Sequence, residues 1–372
     1  MNPKRLAIIT FIVIIIASLF VAYRYYWPES IESVSSKWAE STHSDTSSES
    51  FTHWDEDDPP LIPTYCAKCH STYGYRDFMG ADGSADRQVD EQAETGTVVF
   101  CSACHNDPAH EMTTVAFPSE NTIDQLGREA ICMQCHQGRR STEDVEQAIA
   151  GYPEDQVVDE LEFINVHYQI AAATLFGNEA RGGYQYPDQA YVDRFEHDDT
   201  VETCVECHDP HSQRITVEEC SVCHLAVVDF SDLRSIRATD NDYDGDGNIQ
   251  EGVALEIEAL HQMVYIALQD YAREEIGTPL IYAKQFPYFF VDSDDDGEVD
   301  QEETAFPNQY SAWTPRLVRT AYNYHFVHED PGAYVHNARY VLQLLYDSLA
   351  DLDEVADTPI EDLVRPETEE AQ

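Results

Sequence analysis

All ten cysteines of this 372-residue chain fall in one pentapeptide, Cys-x-x-Cys-His. The copies are Cys66-Ala67-Lys68-Cys69-His70, Cys101-Ser102-Ala103-Cys104-His105, Cys132-Met133-Gln134-Cys135-His136, Cys204-Val205-Glu206-Cys207-His208 and Cys220-Ser221-Val222-Cys223-His224. Two thiols at that spacing can each add to one vinyl group of the same porphyrin. The adjoining histidine then lies beneath the ring with its imidazole facing the iron. A lone copy reads equally well as a zinc site or as chance. Five copies that consume every cysteine do not. A disulfide scaffold needs no histidine after every second cysteine, and a zinc ribbon needs pairs without one. The expectation is five covalently bound haem c groups.

Fifteen histidines less the five in the motifs leave ten, and these set the chemistry. A histidine as sixth ligand saturates the iron for electron transfer, whereas an open position admits substrate. Five histidines lie near motifs or in aromatic or amphipathic segments: His53 beside Trp54, His167, His197, His211 and His336. They are the expected sixth ligands, with His110 in reserve. His211 stands too near its own motif to serve that haem and is expected to reach a neighbouring iron. His261, His325 and His328 read as packed or surface residues, and His43 as a solvated one. Arg139 and Arg140 follow the third motif, where they could neutralise haem propionates or be ordinary surface arginines.

Two acidic loops carry a second chemistry. Residues 292–303 place carboxylates at positions 1, 3 and 5 of a twelve-residue calcium loop (Asp292, Asp294, Asp296). Gly297 occupies the turn, Glu298 offers its carbonyl, Asp300 serves position 9, and Glu303 closes the loop. The loop from Asp242 supplies Asp244, Asp246, Asn248 and Gln250, but Val253 stands where the closing glutamate belongs. Glu251 or Glu256 could take its place. One or two Ca2+ ions are expected, as structural staples.

The elements that position these residues follow from composition and periodicity. Leu6 to Ala22 is uncharged, follows Lys4 and Arg5, and spans about 26 Å, with Tyr23, Tyr25, Tyr26 and Trp27 behind it. It reads as an anchor that leaves the bulk of the chain in the periplasm or outside the cell, rather than as a cleaved signal peptide. Residues 1–27 form that anchor, and the Ser-rich 28–50 a flexible tether. Residues 51–225 form a five-haem domain, 226–360 a helical domain with the calcium-type loops, and 361–372 an acidic tail. Helices are expected around 143–150, 160–176, 252–275, 315–327 and 335–353. The fold class is mainly α with extensive irregular loops: a multihaem cytochrome c core plus a helical calcium-loop domain. If His336 is a ligand, the helical part shares a core with the haem part. A net charge of −50 excludes nucleic acid as a partner and favours basic protein partners.

The motifs, the anchor and the histidine supply resemble membrane-anchored multihaem (pentahaem) c-type cytochromes. That resemblance covers residues 66–224 and implies haem attachment outside the cytoplasmic membrane by a dedicated maturation system. It also implies closely packed haems working as an electron relay, with motif cysteines as thioether sites and motif histidines as proximal ligands. Single-anchor tetrahaem quinol dehydrogenases are similar in topology but shorter and one haem poorer. Ammonia-forming nitrite reductases are similar in carrying five haems and calcium, but lysine usually replaces the motif histidine at their active haem, and no such variant occurs here. The expected function is a relay between a membrane donor and a periplasmic or extracellular acceptor. Its partners would be redox proteins or a quinol-oxidising membrane complex, with a homo-oligomer or conducting assembly as a further option. The alternative is a multihaem reductase with one open iron, acting on an oxidised nitrogen or sulfur compound.

Overall fold

The computed structural model describes residues 29–197, 201–237 and 239–368. The apolar run Leu6 to Ala22, expected as an anchor, lies outside the described residues. Among the described residues no helix is long and apolar enough to cross a membrane. The chain divides into two compact units, one comprising residues up to Ala103 with His208–Arg214, the other Cys104–Cys207 with Ile215–Gln372.

In the first unit, the stretch read from composition as a tether holds helix α1 (Ile31–Ala39) and a short helix from Glu49. The serines that suggest a linker act instead as N-caps, Ser30 accepting from the Ser33 amide and Ser48 from the Ser50 amide. Lys37 of α1 bonds Asp209 at 2.7 Å, and the Trp38 indole donates to the Val99 carbonyl at 2.9 Å. Helices α2 (Thr64–His70) and α3 (Thr72–Phe78) follow one another across Ser71, whose hydroxyl caps α3. They meet at Gly74, where a Cβ would stand 2.3 Å from the Ala67 carbonyl oxygen, so only glycine permits the approach. Ile62, Ala67 and Ala93 form the small core beneath, and strands β1 (Leu61–Ile62) and β2 (Ala93–Glu94) pair antiparallel beside it.

The second unit has one large core that runs from Val115 to Leu363 and so crosses the boundary expected at residue 225. A short antiparallel pair, β3 (Val115–Ala116) and β4 (Thr122–Ile123), opens it. Helix α4 (Ala171–Ala180) starts well after the expected 160. The backbone turns left-handed at His167 and Gln169 (φ +81° and +55°), and the Asn165 side chain accepts from the His167 amide, a local bond that competes with a helix. Helices α5 (Val253–Tyr271), α6 (Pro315–His328) and α7 (Ala338–Asp353) make the rest. Between α5 and α6, β5 (Leu280–Tyr282) and β6 (Phe289–Val291) form a hairpin. The helix expected over 335–353 breaks at Asn337, whose side chain caps α7 by accepting from the Tyr340 amide. The start of the acidic tail is packed: Arg365 bonds Asp347 at 2.7 Å and Gln343 donates to the Pro366 carbonyl.

Helix α6 is buried on nearly every side, so its two arginines need internal partners. Asp351 of α7 takes both, Arg316 through Nη1 and Arg319 through Nε and Nη2 at 2.6 Å each. Asp155 takes Arg316 from the other side at 2.7 Å. Asp351→Ala removes the carboxylate that two buried guanidinium groups share, leaving Arg316 to Asp155 and Glu354 and Arg319 to Glu154. It is expected to destabilise this unit by about 3–5 kcal/mol, read as a lowered urea midpoint at unchanged slope.

Candidate haem and metal sites

Each cysteine pair occupies a single helical turn. The first lies within α2, the second and fourth are the short helices Cys101–Cys104 and Cys204–Cys207. In the third and fifth, the histidine amide bonds the first cysteine's carbonyl, at 3.1 Å for His136 and 2.9 Å for His224. Residues three apart on a turn share a face, so both thiols of a pair can reach one ligand edge. Free cysteine is among the most buried residue types, yet all ten here are exposed or part-exposed. Large apolar side chains are exposed beside them: Tyr65 before Cys66, Phe100 before Cys101, and Val222 and Leu225 about Cys223. Accessible thiols flanked by exposed apolar groups suit the edge and face of a porphyrin.

The motif histidines carry a second mark of fit. His70 Nδ1 lies 2.6 Å from the Ser50 carbonyl, His136 Nδ1 3.0 Å from that of Gln169, and His208 Nδ1 3.4 Å from that of Gln213. A carbonyl only accepts, so the proton belongs on Nδ1 and the lone pair on Nε2, the tautomer an iron ligand needs. The residues present therefore fit haem c, which the cysteines would hold through thioether bonds, with Nε2 of His70, His136 and His208 free of a proton to ligate the iron.

The structure brings some expected sixth ligands to motif residues. The His197 ring centre is 6.0 Å from that of His224, and His110, the reserve, is 6.1 Å from His105. Trp54 packs edge-on against both His53 (4.8 Å) and His70 (5.2 Å). His53 Nδ1 meets Glu49 at 2.9 Å on the exposed surface. His167 lies against Tyr168 at 4.5 Å, and the His211 amide donates to Asp209. Cys132 and Cys204, from different motifs, stand side by side. The hydrogen bond between them lowers the Cys132 pKa and raises that of Cys204. His336 lies near enough to Cys204 to feel its charge.

Other histidines are held by the protein itself. His43 does not float in a tether: its Nδ1 is 3.1 Å from Gln213 Nε2, and its carbonyl accepts from the Val99 amide. Nothing in its serine-rich surroundings signals this. His325 uses both ring nitrogens, Nδ1 with Tyr282 and Nε2 with Asn165, each at 3.0 Å. His261 Nε2 meets the Tyr324 carbonyl at 2.8 Å, with its ring stacked flat on Tyr324 at 4.1 Å. His328 packs against Tyr282, and burial holds its pKa below the usual value.

In the loop 292–303, ligand oxygens of Asp292, Asp294 and Glu303 lie within 4.8 Å of one another, as do those of Asp294, Asp296 and Asp300. Asp292 accepts from the Gly297 amide at 2.9 Å, and Gly297 takes the left-handed turn (φ +77°) that its position demands. Glu303 is 7% exposed, and its Oε2 is buried with no hydrogen-bond partner among the described residues. A buried, unbonded carboxylate oxygen beside two further carboxylates is a donor set for a hard cation. The first loop is built otherwise. Asp242, Asp244 and Glu256 converge, as do Asp244, Asp246 and Glu251, while the exposed Gln250 side chain turns to the Ile249 carbonyl. Asn248 bonds Glu251 rather than joining the carboxylates. Glu256, from the first turn of α5, takes the Tyr243 and Asp244 amides and the Arg237 guanidinium. Burial pushes the Asp244 carboxyl up to about 6.

No family model matches the sequence, and no solved structure matches it. The chain is similar to the C-type polyheme cytochrome OmcB of Geobacter sulfurreducens, 24% identical over 373 residues, covering 82% of this chain and 46% of that protein. It is also similar to the C-type polyheme cytochrome OmcC of the same organism, 22% identical over 375 residues, covering 82% and 44%. The chain thus spans about half the length of the curated relatives it matches.

The packed histidines make a pH prediction. Burial pushes His261 down to about 4 from an ordinary 6.5. A depressed folded pKa means the unfolded chain takes the proton first, so this stability is whole above pH 6.5 and drains as pH falls towards 4. Urea midpoints measured from pH 7.5 to 4.5 should fall over that window. His261→Gln, which can still donate to the Tyr324 carbonyl, should flatten the fall.

Proposed function

We propose that this chain is an extracytoplasmic multihaem c-type cytochrome that holds five haems and relays electrons, without a substrate-binding iron. Its similarity to polyheme cytochromes across 82% of its length supports a multihaem cytochrome with an electron-transfer role. The observation that carries the reading is the pairing of accessible cysteines on one helical turn with a histidine whose Nδ1 is tied to a carbonyl. When bound, haem c supplies a one-electron couple at each iron. The chain's own residues do the rest. The cysteines would hold each ring by covalent bonds, the carbonyls of Ser50, Gln169 and Gln213 orient the motif imidazoles, and second histidines would supply the remaining ligands.

Of the ten histidines outside the motifs, His43, His261, His325 and His328 are engaged by the protein itself, which leaves six for five irons, and two of these, His197 and His110, stand beside motif histidines. Closed irons favour the relay, and no observation favours the reductase. The donor would be a redox protein or a quinol-oxidising membrane complex reached through an N-terminal anchor, and the acceptor a protein in the periplasm or outside the cell. The net charge of −50 suits basic docking faces. Calcium belongs to the same proposal: Asp292, Asp294 and Glu303 would hold one ion, and Asp242, Asp244 and Glu256 a weaker one, since Arg237 already neutralises Glu256.

Two measurements test this. Electron paramagnetic resonance of the oxidised protein should show only low-spin ferric haem, and a high-spin component at the level of one haem per chain would restore the reductase. Calcium at about 100 times its dissociation constant should add about 2.7 kcal/mol to the stability of the second unit. Chelator should remove that increment from the wild type, and Asp292→Ala should remove most of the response, leaving the share of the weaker site.

A further inference from the structure

One candidate haem ligand is held by a buried carboxylate. His336 Nδ1 sits 2.9 Å from both carboxylate oxygens of Asp330, which is only 4% exposed. The ring packs against Gly332, where a Cβ would come within 2.6 Å of Cε1, so no larger residue leaves the ring where it is. The backbone between them is a tight turn. Asp330 Oδ1 also accepts from the Gly332 amide at 3.1 Å, and the His336 amide bonds the Gly332 carbonyl at 2.9 Å. Imidazole and carboxylate are thus locked to each other within seven residues. At His70, His136 and His208 the Nδ1 partner is a neutral carbonyl, and at His53 an exposed carboxylate. Exposure matters because water screens a charge that a protein interior leaves at strength.

We propose that Asp330 is a positioning residue that presents His336 Nε2 as an axial haem ligand and lowers the reduction potential of that one haem. This rests on the reading of His336 as a haem ligand. The carboxylate fixes the proton on Nδ1, so the metal-binding nitrogen is Nε2 and the ring cannot flip. It also draws electron density into the ring, making Nε2 a stronger donor, and sets a buried negative charge close to the iron. Both effects favour ferric over ferrous iron, so both move the couple downwards. The Cys204 thiol beside His336, and Cys132 beside Cys204, mark the neighbourhood of the third and fourth attachment motifs as the place of that haem. The chain thereby acquires a step in potential between haems, which gives a relay its direction.

The test compares full-length protein bearing all its haems as wild type, Asp330→Asn, Asp330→Glu and His336→Ala. Haem content is measured by pyridine haemochrome, and potentials by redox titration followed optically and by electron paramagnetic resonance. Asparagine keeps the size and an oxygen for the Gly332 and His336 N–H groups but loses the charge. It should leave haem content unchanged and weaken one haem's ferric preference about tenfold, raising that potential by about 59 mV while the others stay put. Glutamate should hold the potential near wild type. His336→Ala should convert one haem to high spin, and if it does not, the ligand reading itself fails. If it does, but Asp330→Asn shifts no single potential, the role of Asp330 is overturned. Loss of haem or folded protein in Asp330→Asn also overturns it, because that marks a structural carboxylate.

Discussion

The geometry that governs this molecule is a turn of helix that sets two thiols on one side and an imidazole directly after them. Haem attached there is covalent, so it needs no deep pocket, and a large apolar ring can serve as core where the chain supplies little of its own. The first unit shows the consequence. Its buried apolar residues are dispersed along the chain, among them Phe51, Ile62, Ala67, Tyr75, Met79, Ala93 and Val98, while Tyr65, Tyr73 and Phe100 stay exposed beside the motifs. The second unit is the reverse, with a continuous core of helices α4, α5, α6 and α7. Helix α7 gives that core a buried ionic lock at Asp351, and His336 immediately precedes it.

Charge is the second organising fact. In a chain this acidic, several of the few cations are placed inside. Arg316 and Arg319 neutralise Asp351, Arg365 neutralises Asp347, and Arg237 neutralises Glu256. Among the described residues no arginine pairs with Glu303. Arg273 bonds Asp270 and, from the loop, the exposed Asp295. The two acidic loops look alike in sequence and differ in the structure by whether the closing carboxylate already has a counter-ion. They also sit at opposite ends of α5, one supplying Glu256 to its first turn, the other bonded through Gly297 to Gln269 near its last.

Much of this was legible in the sequence because it depends on spacing alone. The attachment motifs, the calcium-type loop at Asp292 and helices α5 and α6 each follow from a short-range pattern. What the sequence hid depends on partners distant in the chain. Serines 30 and 48 look like linker residues because capping requires a helix that weak local periodicity does not announce. The helix expected from 160 fails because Asn165 diverts the backbone. The boundary expected at 225 is absent because helix α4, from the haem-motif half, packs into the same core as α5 to α7. Glu256 was legible only as one option of two, since a helix turn and not the loop count delivers it. His336 could be nominated from sequence, but Asp330 could not be linked to it, because a carboxylate six residues away points anywhere until the turn is folded.

The account depends most directly on porphyrin being bonded at every motif. Intact mass spectrometry of matured protein, run under denaturing conditions so that only covalent groups remain, tests it in one step. The expected result is a chain heavier than its polypeptide by five haem c groups, falling by one when Cys220 and Cys223 are both replaced by alanine. A colourless protein at the bare polypeptide mass would contradict it.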